Sequence, residues 1–155
     1  MSDATDRLVA LFEELGGESL RDVWLFDQWT HERLYVRPDV ERRIEDLDVA
    51  AFVDNERYGY VTRDTYEKLY YADYQYTVRG FSSFELFRTF LESGDARIGV
   101  FASFDRRDEY YDFSKLDAKI GDLVGEYSTD EFRPSGGSDG SRSAEPGSRG
   151  GCDSD

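Results

Sequence analysis

Only two side chains in this sequence, one histidine and one cysteine, belong to the types that most readily exchange protons or attack substrates near neutral pH. His31 begins a segment of alternating polar and apolar residues and has no second histidine or nearby cysteine with which to share a metal ion. Cys152 lies in a glycine- and serine-rich tail, where no scaffold would activate its thiol. We therefore expect His31 to be a surface residue and neither side chain to be catalytic or metal-binding.

Carboxylates are abundant, and their number makes any particular pair uninformative. Asp105, Asp108 and Asp112 could face a cation, yet they lack the glycine-containing loop and distal glutamate of a calcium-binding hand. Gly16 and Gly17 precede a predicted strand, which reverses the strand-to-helix order of a phosphate-binding loop. We predict that the protein is not an enzyme and uses no cofactor; an enzyme working with carboxylates alone is the remaining alternative.

Tyrosine is concentrated in the middle of the chain. Seven tyrosines fall within nineteen residues: Tyr58, Tyr60, Tyr66, Tyr70, Tyr71, Tyr74 and Tyr76. A tyrosine ring is large and apolar with a polar tip, which suits protein interfaces and ligand pockets. The same rings could instead cover the join between helices and a strand, with their hydroxyl groups in water. The sequence leaves interface, pocket and plain surface open.

Other side chains near the tyrosines extend this candidate region. Arg79 and Arg88 could offer a counter-charge to an anionic ligand or pair with Glu85 across the sheet. Trp29 lies in a predicted tight link, where we expect it to be exposed and able to anchor an interface. A pocket would be lined by Tyr66, Tyr70, Tyr76 and Phe87. The candidate interface or pocket residues are Trp29, Tyr58, Tyr60, Tyr66, Tyr70, Tyr74, Tyr76, Arg79 and Phe87.

Residues 74–104 predict the part of the fold around which the rest is arranged. β-branched and aromatic residues recur there with a period of two, and turn residues separate three such runs. This pattern is typical of a three-stranded antiparallel meander.

The beginning of the chain predicts a helix followed by a central strand. Residues 5–15 carry apolar side chains at helical spacing, with Asp3 or Thr5 as the N-cap and two glycines at the end. Residues 20–27 have apolar side chains on both faces, which is typical of a strand buried on both sides.

A second strand, over residues 31–37, alternates between polar and apolar positions. We expect Leu34 and Val36 to face the core and Tyr35 to face solvent. A hairpin link at residues 28–30 would join this strand to the first.

Helices are predicted on either side of the meander. Residues 39–53 are helical with Asp39 as the cap, Gly59 is a break, and one or two further turns start near Asp64. The last helix begins at Ser114, which forms a capping-box-like start with Asp117.

The element order α-β-β-α-α-β-β-β-α predicts an α+β domain with a five-stranded antiparallel sheet flanked by helices. Over residues 5–127 this order resembles the profilin-like group, in particular roadblock-type domains, and more loosely GAF and PAS sensor domains. The segments 53–57 and 76–81 also resemble a family of small haloarchaeal proteins.

The charge of the chain bounds its surroundings and partners. Acidic residues outnumber basic ones by 34 to 19, which gives a net charge of −15 and a pI of about 4.4. Such a charge repels nucleic acid and anionic membranes. Salt near 1 M shortens the Debye length to about 3 Å, so we predict adaptation to a salt-accumulating cytoplasm; an ordinary acidic bacterial protein is the alternative.

The sequence predicts one domain over residues 1–133 and a disordered tail rich in glycine, serine and aspartate over residues 134–155. It shows no membrane span and no signal peptide, so we expect a soluble cytoplasmic protein. The hypothesis is a non-catalytic protein-interaction or regulatory module that binds a partner or itself as a homodimer. The alternative is a small-ligand sensor with an aromatic pocket between the sheet and the middle helices.

Overall fold

The computed structural model describes residues 2–93 and 96–135, and it has the predicted order of strands, with three helices instead of two between the second and third strands. The helices are α1 Asp3–Gly16, α2 Pro38–Ile44, α3 Val49–Arg57, α4 Gly59–Tyr70 and α5 Phe113–Glu126, and the strands are β1 Leu20–Phe26, β2 His31–Val36, β3 Tyr76–Gly80, β4 Phe84–Ser93 and β5 Ala96–Asp105. Short 3-10 turns cover Gly17–Ser19 and Thr129–Phe132.

The five strands form one antiparallel sheet in the order β2-β1-β5-β4-β3. The predicted α+β class with a five-stranded antiparallel sheet flanked by helices is confirmed. β1 lies between β2 and β5, which explains why apolar residues occupy both of its faces. Val23 and Leu25 face one helical layer, whereas Trp24 and Phe26 face the other.

The larger core lies between the sheet and the layer formed by α1 and α5. Leu8 and Phe12 of α1 and Ile120 of α5 are buried against Phe87 and Phe104 of the sheet. Burying one side chain of this size contributes roughly 1.5–3 kcal/mol to the stability of the folded state. This layer therefore supplies most of the hydrophobic stabilisation of the domain.

A smaller core lies on the opposite face, under α2, α3 and α4. Its buried members are Trp24, Phe26, Val53, Tyr60 and Phe101. The Tyr60 ring of α4 stacks on Phe90 of β4 with 4.2 Å between ring centroids. The sheet is thus covered on both faces, but the three middle helices have fewer apolar contacts to hold them.

The N-terminal cap of α1 differs from the prediction by one to three residues. Ser2 is the N-cap, and it forms a capping box in which Thr5 donates its backbone N–H to the Ser2 hydroxyl at 3.2 Å. Gly17 ends the helix with φ 56°, a conformation that favours glycine.

The cap of α5 was also predicted at the wrong residue. Asp112, rather than Ser114, caps this helix by accepting a hydrogen bond from the Lys115 backbone N–H at 3.0 Å. Aspartate is the stronger cap because its charge also interacts favourably with the helix dipole.

The middle helices differ most from the prediction. The predicted helix over residues 39–53 is two helices, the first with Pro38 at its start and the second capped by Asp48. Gly59 is the first residue of α4 and not a break, so α4 is twelve residues long and begins before Asp64.

The predicted alternation of β2 is wrong at its centre because the β1–β2 register shifts between Val23 and Trp24. Such a shift places one extra residue on one strand and changes the face of the residues that follow. Leu34 and Tyr35 both contact the α1/α5 core, whereas Val36 contacts the opposite one.

The description of the chain ends at Ser135, whose backbone N–H donates to Glu32 of β2 at 2.9 Å. The tail that was predicted to be disordered otherwise lies outside the described residues. Within residues 2–93 and 96–135, no helix combines the length and the apolar composition needed to cross a membrane.

Two glycines test this description of the fold, one facing open space and the other packed closely against a ring. A Cβ at Gly125 of α5 would meet nothing within 4 Å, so Gly125→Ala should raise the free energy of unfolding by about 1 kcal/mol through helix propensity. A Cβ at Gly16 would lie 2.7 Å from the Phe104 ring, so Gly16→Ala should be destabilising. Urea unfolding of both variants in molar KCl measures this; a gain for Gly16→Ala would contradict the described packing.

Candidate interaction surface

A buried ion pair joins the middle helices to the sheet. Glu56, near the end of α3, accepts a hydrogen bond from Nη1 of Arg88 on β4 at 3.1 Å and from Nη1 of Arg79 on β3 at 2.6 Å. Arg88 is 2 % exposed, and its Nη2 donates to the Thr77 hydroxyl at 2.9 Å. Because a buried carboxylate and a buried guanidinium each require a charged partner, this contact fixes where α3 meets β3 and β4.

The two arginines do not pair with Glu85 as the sequence analysis allowed. Glu85 faces Arg106 at 3.6 Å instead. The Arg88 guanidinium lies over the Phe90 ring at 4.9 Å and fills the space beneath the first residue of α4. A Cβ at Gly59 would overlap this guanidinium, which explains why a glycine begins α4.

The outer side of α4 is exposed and carries uncharged side chains. Tyr58, Val61 and Leu69 are 71 %, 68 % and 61 % exposed. Their spacing places them on one side of the helix, together with two exposed threonines. We call this set the α4 stripe; its members are Tyr58, Val61, Thr62, Thr65 and Leu69.

Stacked rings connect α4 to the start of β3. The Tyr66 ring lies 6.0 Å from the rings of both Tyr70 and Tyr74, between centroids. Glu67 accepts a hydrogen bond from the Tyr74 backbone N–H at 3.0 Å. Three of the predicted site residues are therefore neighbours on the surface beside the α4 stripe.

The outer edge of β3 has no partner among the described strands, because β3 is the last strand of the sheet. Val78 on this strand and Phe81 just after it are 37 % and 45 % exposed. Arg79 is half-buried on the same strand because its guanidinium turns inward to Glu56. An exposed strand edge is a template for pairing with another chain.

The predicted aromatic pocket is occupied by the protein's own side chains. Phe87 is fully buried, and Tyr76 packs on it with 5.6 Å between ring centroids in the core beside α1 and α5. Tyr66 and Tyr70 are exposed on α4, which covers the opposite face of the sheet. Tyr60 is buried against Phe90. The predicted site residues therefore separate into core rings and surface rings.

Trp29 is 84 % exposed, as expected, at the tip of the β1–β2 hairpin. Asp27 Oδ1 accepts hydrogen bonds from the backbone N–H groups of Trp29 and Thr30 at 2.9 and 2.8 Å. Arg57 of α3 donates to the Asp27 carbonyl at 2.7 Å. The indole is therefore presented by a tightly hydrogen-bonded turn.

His31 is half-buried and not on the surface as predicted. Its ring lies 6.1 Å from that of Trp24, between centroids. Burial and, to a lesser extent, the positive charge of Arg57 lower the pKa of His31 below its usual value. Within the described ranges, no group of three histidine, cysteine, aspartate or glutamate side chains converges to hold a metal ion.

The sequence missed the most buried polar contact and the first turn of α4, which carries part of the α4 stripe. Glu56 and Arg88 are thirty-two positions apart, so no local pattern connects them. Val61 and Thr62 lay outside the predicted helix because α4 was predicted to begin near Asp64. With the correct start, the helical spacing of Tyr58, Val61 and Leu69 is visible in the sequence.

Together, the strand order and the helices on both faces define a three-layer α+β domain, and several of its exposed apolar side chains lie along α4 and the outer edge of β3. Residues 6–125 match the family described as Domain of unknown function (DUF7522), and the chain belongs to this family. One similar solved structure, "MglB with tetrameric arrangement", has a TM-score of 0.46 and 16 % identity over 81 % of this chain and 93 % of that chain. No curated protein sequence matches this chain at a significant level.

Removing the carboxylate of the buried ion pair should be costly. Glu56→Leu leaves Arg88 charged and buried, so we expect a loss of about 3–5 kcal/mol in the free energy of unfolding. Arg79→Ala removes only the half-exposed partner and should cost about 1 kcal/mol or less. The double variant Glu56→Leu/Arg88→Met should recover most of the loss, because the charge that remains, that of Arg79, is half-exposed and can be hydrated. Urea unfolding measures all three; equal losses for Glu56→Leu and Arg79→Ala would contradict the assigned burial.

The lowered pKa of His31 predicts a specific pH dependence of stability. Unfolded histidine titrates near pH 6.5, so below about that pH the unfolded chain binds more protons than the folded chain. The contribution of His31 to stability is therefore present above pH 6.5 and is lost as the pH falls below it. Relative to His31→Asn, the wild type should lose stability between about pH 6.5 and pH 5. Urea midpoints at fixed salt measure the difference; parallel pH curves would contradict it.

Proposed function

We propose that this chain is a non-catalytic interaction module of regulatory type, which self-associates through the α4 stripe and the outer edge of β3. The observation that carries the proposal is the α4 stripe itself. About a third of the residues are charged, yet Tyr58, Val61 and Leu69 lie exposed in one line along α4 with only threonines in that line and Lys68 beside it. Exposed apolar patches of this kind mark interaction sites.

Charge favours a second copy of the chain at this surface. Two molecules of charge −15 repel each other over most of their surfaces. An uncharged stripe lets them approach without placing carboxylates against one another. Salt near 1 M shortens the Debye length to about 3 Å from about 10 Å at 0.1 M, so self-association should strengthen as salt increases. This is consistent with the salt-rich cytoplasm that the composition suggests.

The stripe and the strand edge are suited to a two-fold contact. A two-fold interface uses the same patch on both subunits, and an uncharged helix side is complementary to itself. The stacked rings of Tyr66 and Tyr74 lie between α4 and β3, so both features can contribute to one interface. A stable interface needs about 800 Å² from each partner, which is more than one helix side supplies. The edge of β3 would provide the remainder through its unpaired backbone groups.

The positions of the perturbed carboxylates support a non-catalytic role. Burial raises the pKa of Asp22, whose Oδ1 accepts hydrogen bonds from the Ser103 backbone and hydroxyl at 3.0 and 2.7 Å. Burial also raises the pKa of Asp117, which lies on α5 on the other side of the sheet. A glycosidase-type mechanism needs two carboxylates beside one substrate bond, and these two do not meet.

The alternative of a small-ligand sensor with an aromatic pocket has less support. That pocket would lie between the sheet and the middle helices, where Tyr60 and the Arg88–Glu56 pair are packed. Trp29 offers a second anchor for a partner protein at the far side of the sheet. Its contribution would be independent of α4.

A charge placed in the α4 stripe should disrupt self-association. We expect the wild-type chain to form a dimer in molar KCl and Val61→Glu or Leu69→Glu to raise the dissociation constant by about tenfold or more, since a buried carboxylate lacks a partner. Sedimentation equilibrium over a range of concentrations gives both constants.

The matched control is Leu47→Glu, because Leu47 is 49 % exposed in the link between α2 and α3 and lies outside the stripe. Its dissociation constant should equal that of the wild type. A strictly monomeric wild-type chain at high salt, or an equal effect of Leu47→Glu and Val61→Glu, would contradict self-association through α4.

A further inference from the structure

A cleft lies where β3 stops and its neighbour β4 continues. The last β3–β4 pair is Tyr76 with Thr89, whereas β4 runs on to Ser93 and pairs there with β5 alone among the described strands. A cleft of about 440 Å³ opens along this free edge. This volume is within the range of peptide- and ligand-binding sites.

The walls of the cleft come from both helical layers. Successive strand residues point to opposite faces, so Phe90 lies on the α4 side and Leu91 on the α5 side. Glu67 of α4 forms one wall, and Asp117 and Gly121 of α5 form the other. The cleft therefore encloses the edge of the sheet itself, where a strand continuing the line of β3 would lie.

The chain turns away from this position at Tyr71. That residue has left-handed backbone angles, φ 54° and ψ 38°, and ends α4. The Glu67 carboxylate then holds the Tyr74 backbone N–H, which fixes the turn before β3 begins. Over residues 90–93, roughly 13 Å of strand at the usual rise per residue, alternate residues of β4 thus direct backbone N–H and C=O groups to this unpaired edge. Unpaired strand edges of this kind accept added strands.

The charges in the cleft select the side chains of such a segment. Among the described residues that line the cleft, three are acidic, namely Glu67, Asp73 and Asp117, and one is basic, namely Arg63. Burial raises the pKa of Asp117 because it disfavours the charged carboxylate. A cation beside this carboxylate would offset part of that cost.

We propose that this cleft binds an extended peptide segment of a partner protein, which adds to the sheet as a strand beside residues 90–93 of β4 and directs a lysine or arginine side chain toward Asp117 and Asp73. Main-chain hydrogen bonds supply the affinity and the carboxylates supply the preference. No residue of the α4 stripe lines the cleft, so peptide binding does not require the stripe, although Tyr74 borders both sites.

The chain contains a matched pair of positions for testing the cleft. A Cβ at Gly121 or at Gly125 would meet nothing within 4 Å, and both glycines lie on α5, but only Gly121 lines the cleft. Gly121→Leu should therefore fill the site without disturbing the fold, and Gly125→Leu should leave it open. Unfolding curves confirm that both variants are folded.

The probes are fluorescein-labelled peptides of about eight alternating valine and threonine residues, with arginine or glutamate at the centre. Fluorescence anisotropy is measured with the full chain at the lowest KCl concentration that keeps it folded. We expect the arginine peptide to bind with a dissociation constant in the micromolar range and the glutamate peptide to bind about tenfold more weakly. Gly121→Leu should raise the dissociation constant of the arginine peptide about tenfold, whereas Gly125→Leu should leave this constant unchanged.

Two further variants separate the sources of binding. Asp117→Asn should reduce the preference for arginine over glutamate, and methylation of alternate backbone nitrogens of the peptide should abolish binding. Val61→Glu should bind the peptide as the wild type does, which separates this site from the proposed self-association. Equal losses in the two glycine variants, full binding of the methylated peptide, or binding of spermidine in place of any peptide would overturn the proposal.

Discussion

The buried contact between Arg88 and Glu56 determines how one whole side of the domain is arranged. On the α1/α5 side, phenylalanine rings fill the space between the helices and the sheet, and the burial of apolar surface holds these helices in place. On the other side the apolar core is small, and a charged pair occupies its middle. A buried pair adds less stability than apolar residues of the same volume, but it penalises every arrangement that separates the two charges. Its main effect is therefore on the position of α3 and α4.

The position and exposure of α4 follow from this constraint. Because Arg88 lies beneath Gly59, the helix must begin close to β4, and Tyr60 then stacks on Phe90. These contacts use only the inner side of the first turns of α4. The outer side remains exposed, and the end of the helix lies beside the free edge of β4. The α4 stripe and the cleft are thus two consequences of the same anchoring of the helix.

The sequence predicts those features that depend on local periodicity, and it misses those that depend on distant residues. The double-sided burial of β1 and the meander from Tyr76 to Asp105 were predictable because each strand shows its period within a few residues. The register shift beside Val23 was not, because it depends on how two strands meet. Arg88 occupies an ordinary position in an alternating strand, so only its contact with Glu56 shows that it is buried. The start of α4 was predicted at the wrong residue for the same reason, because the role of Gly59 depends on its contact with Arg88.

The uneven distribution of charge decides what each surface can recognise. Over most of its surface a chain of charge −15 attracts cations and repels acidic proteins, itself included. A partner of like charge can therefore approach only where charge is absent, which is the case along Tyr58, Val61 and Leu69. In the cleft beside β4 the carboxylates of Asp73 and Asp117 remain, so the same field draws in a basic segment. Increasing salt should thus strengthen the first kind of contact and weaken the second, because screening removes repulsion and attraction alike.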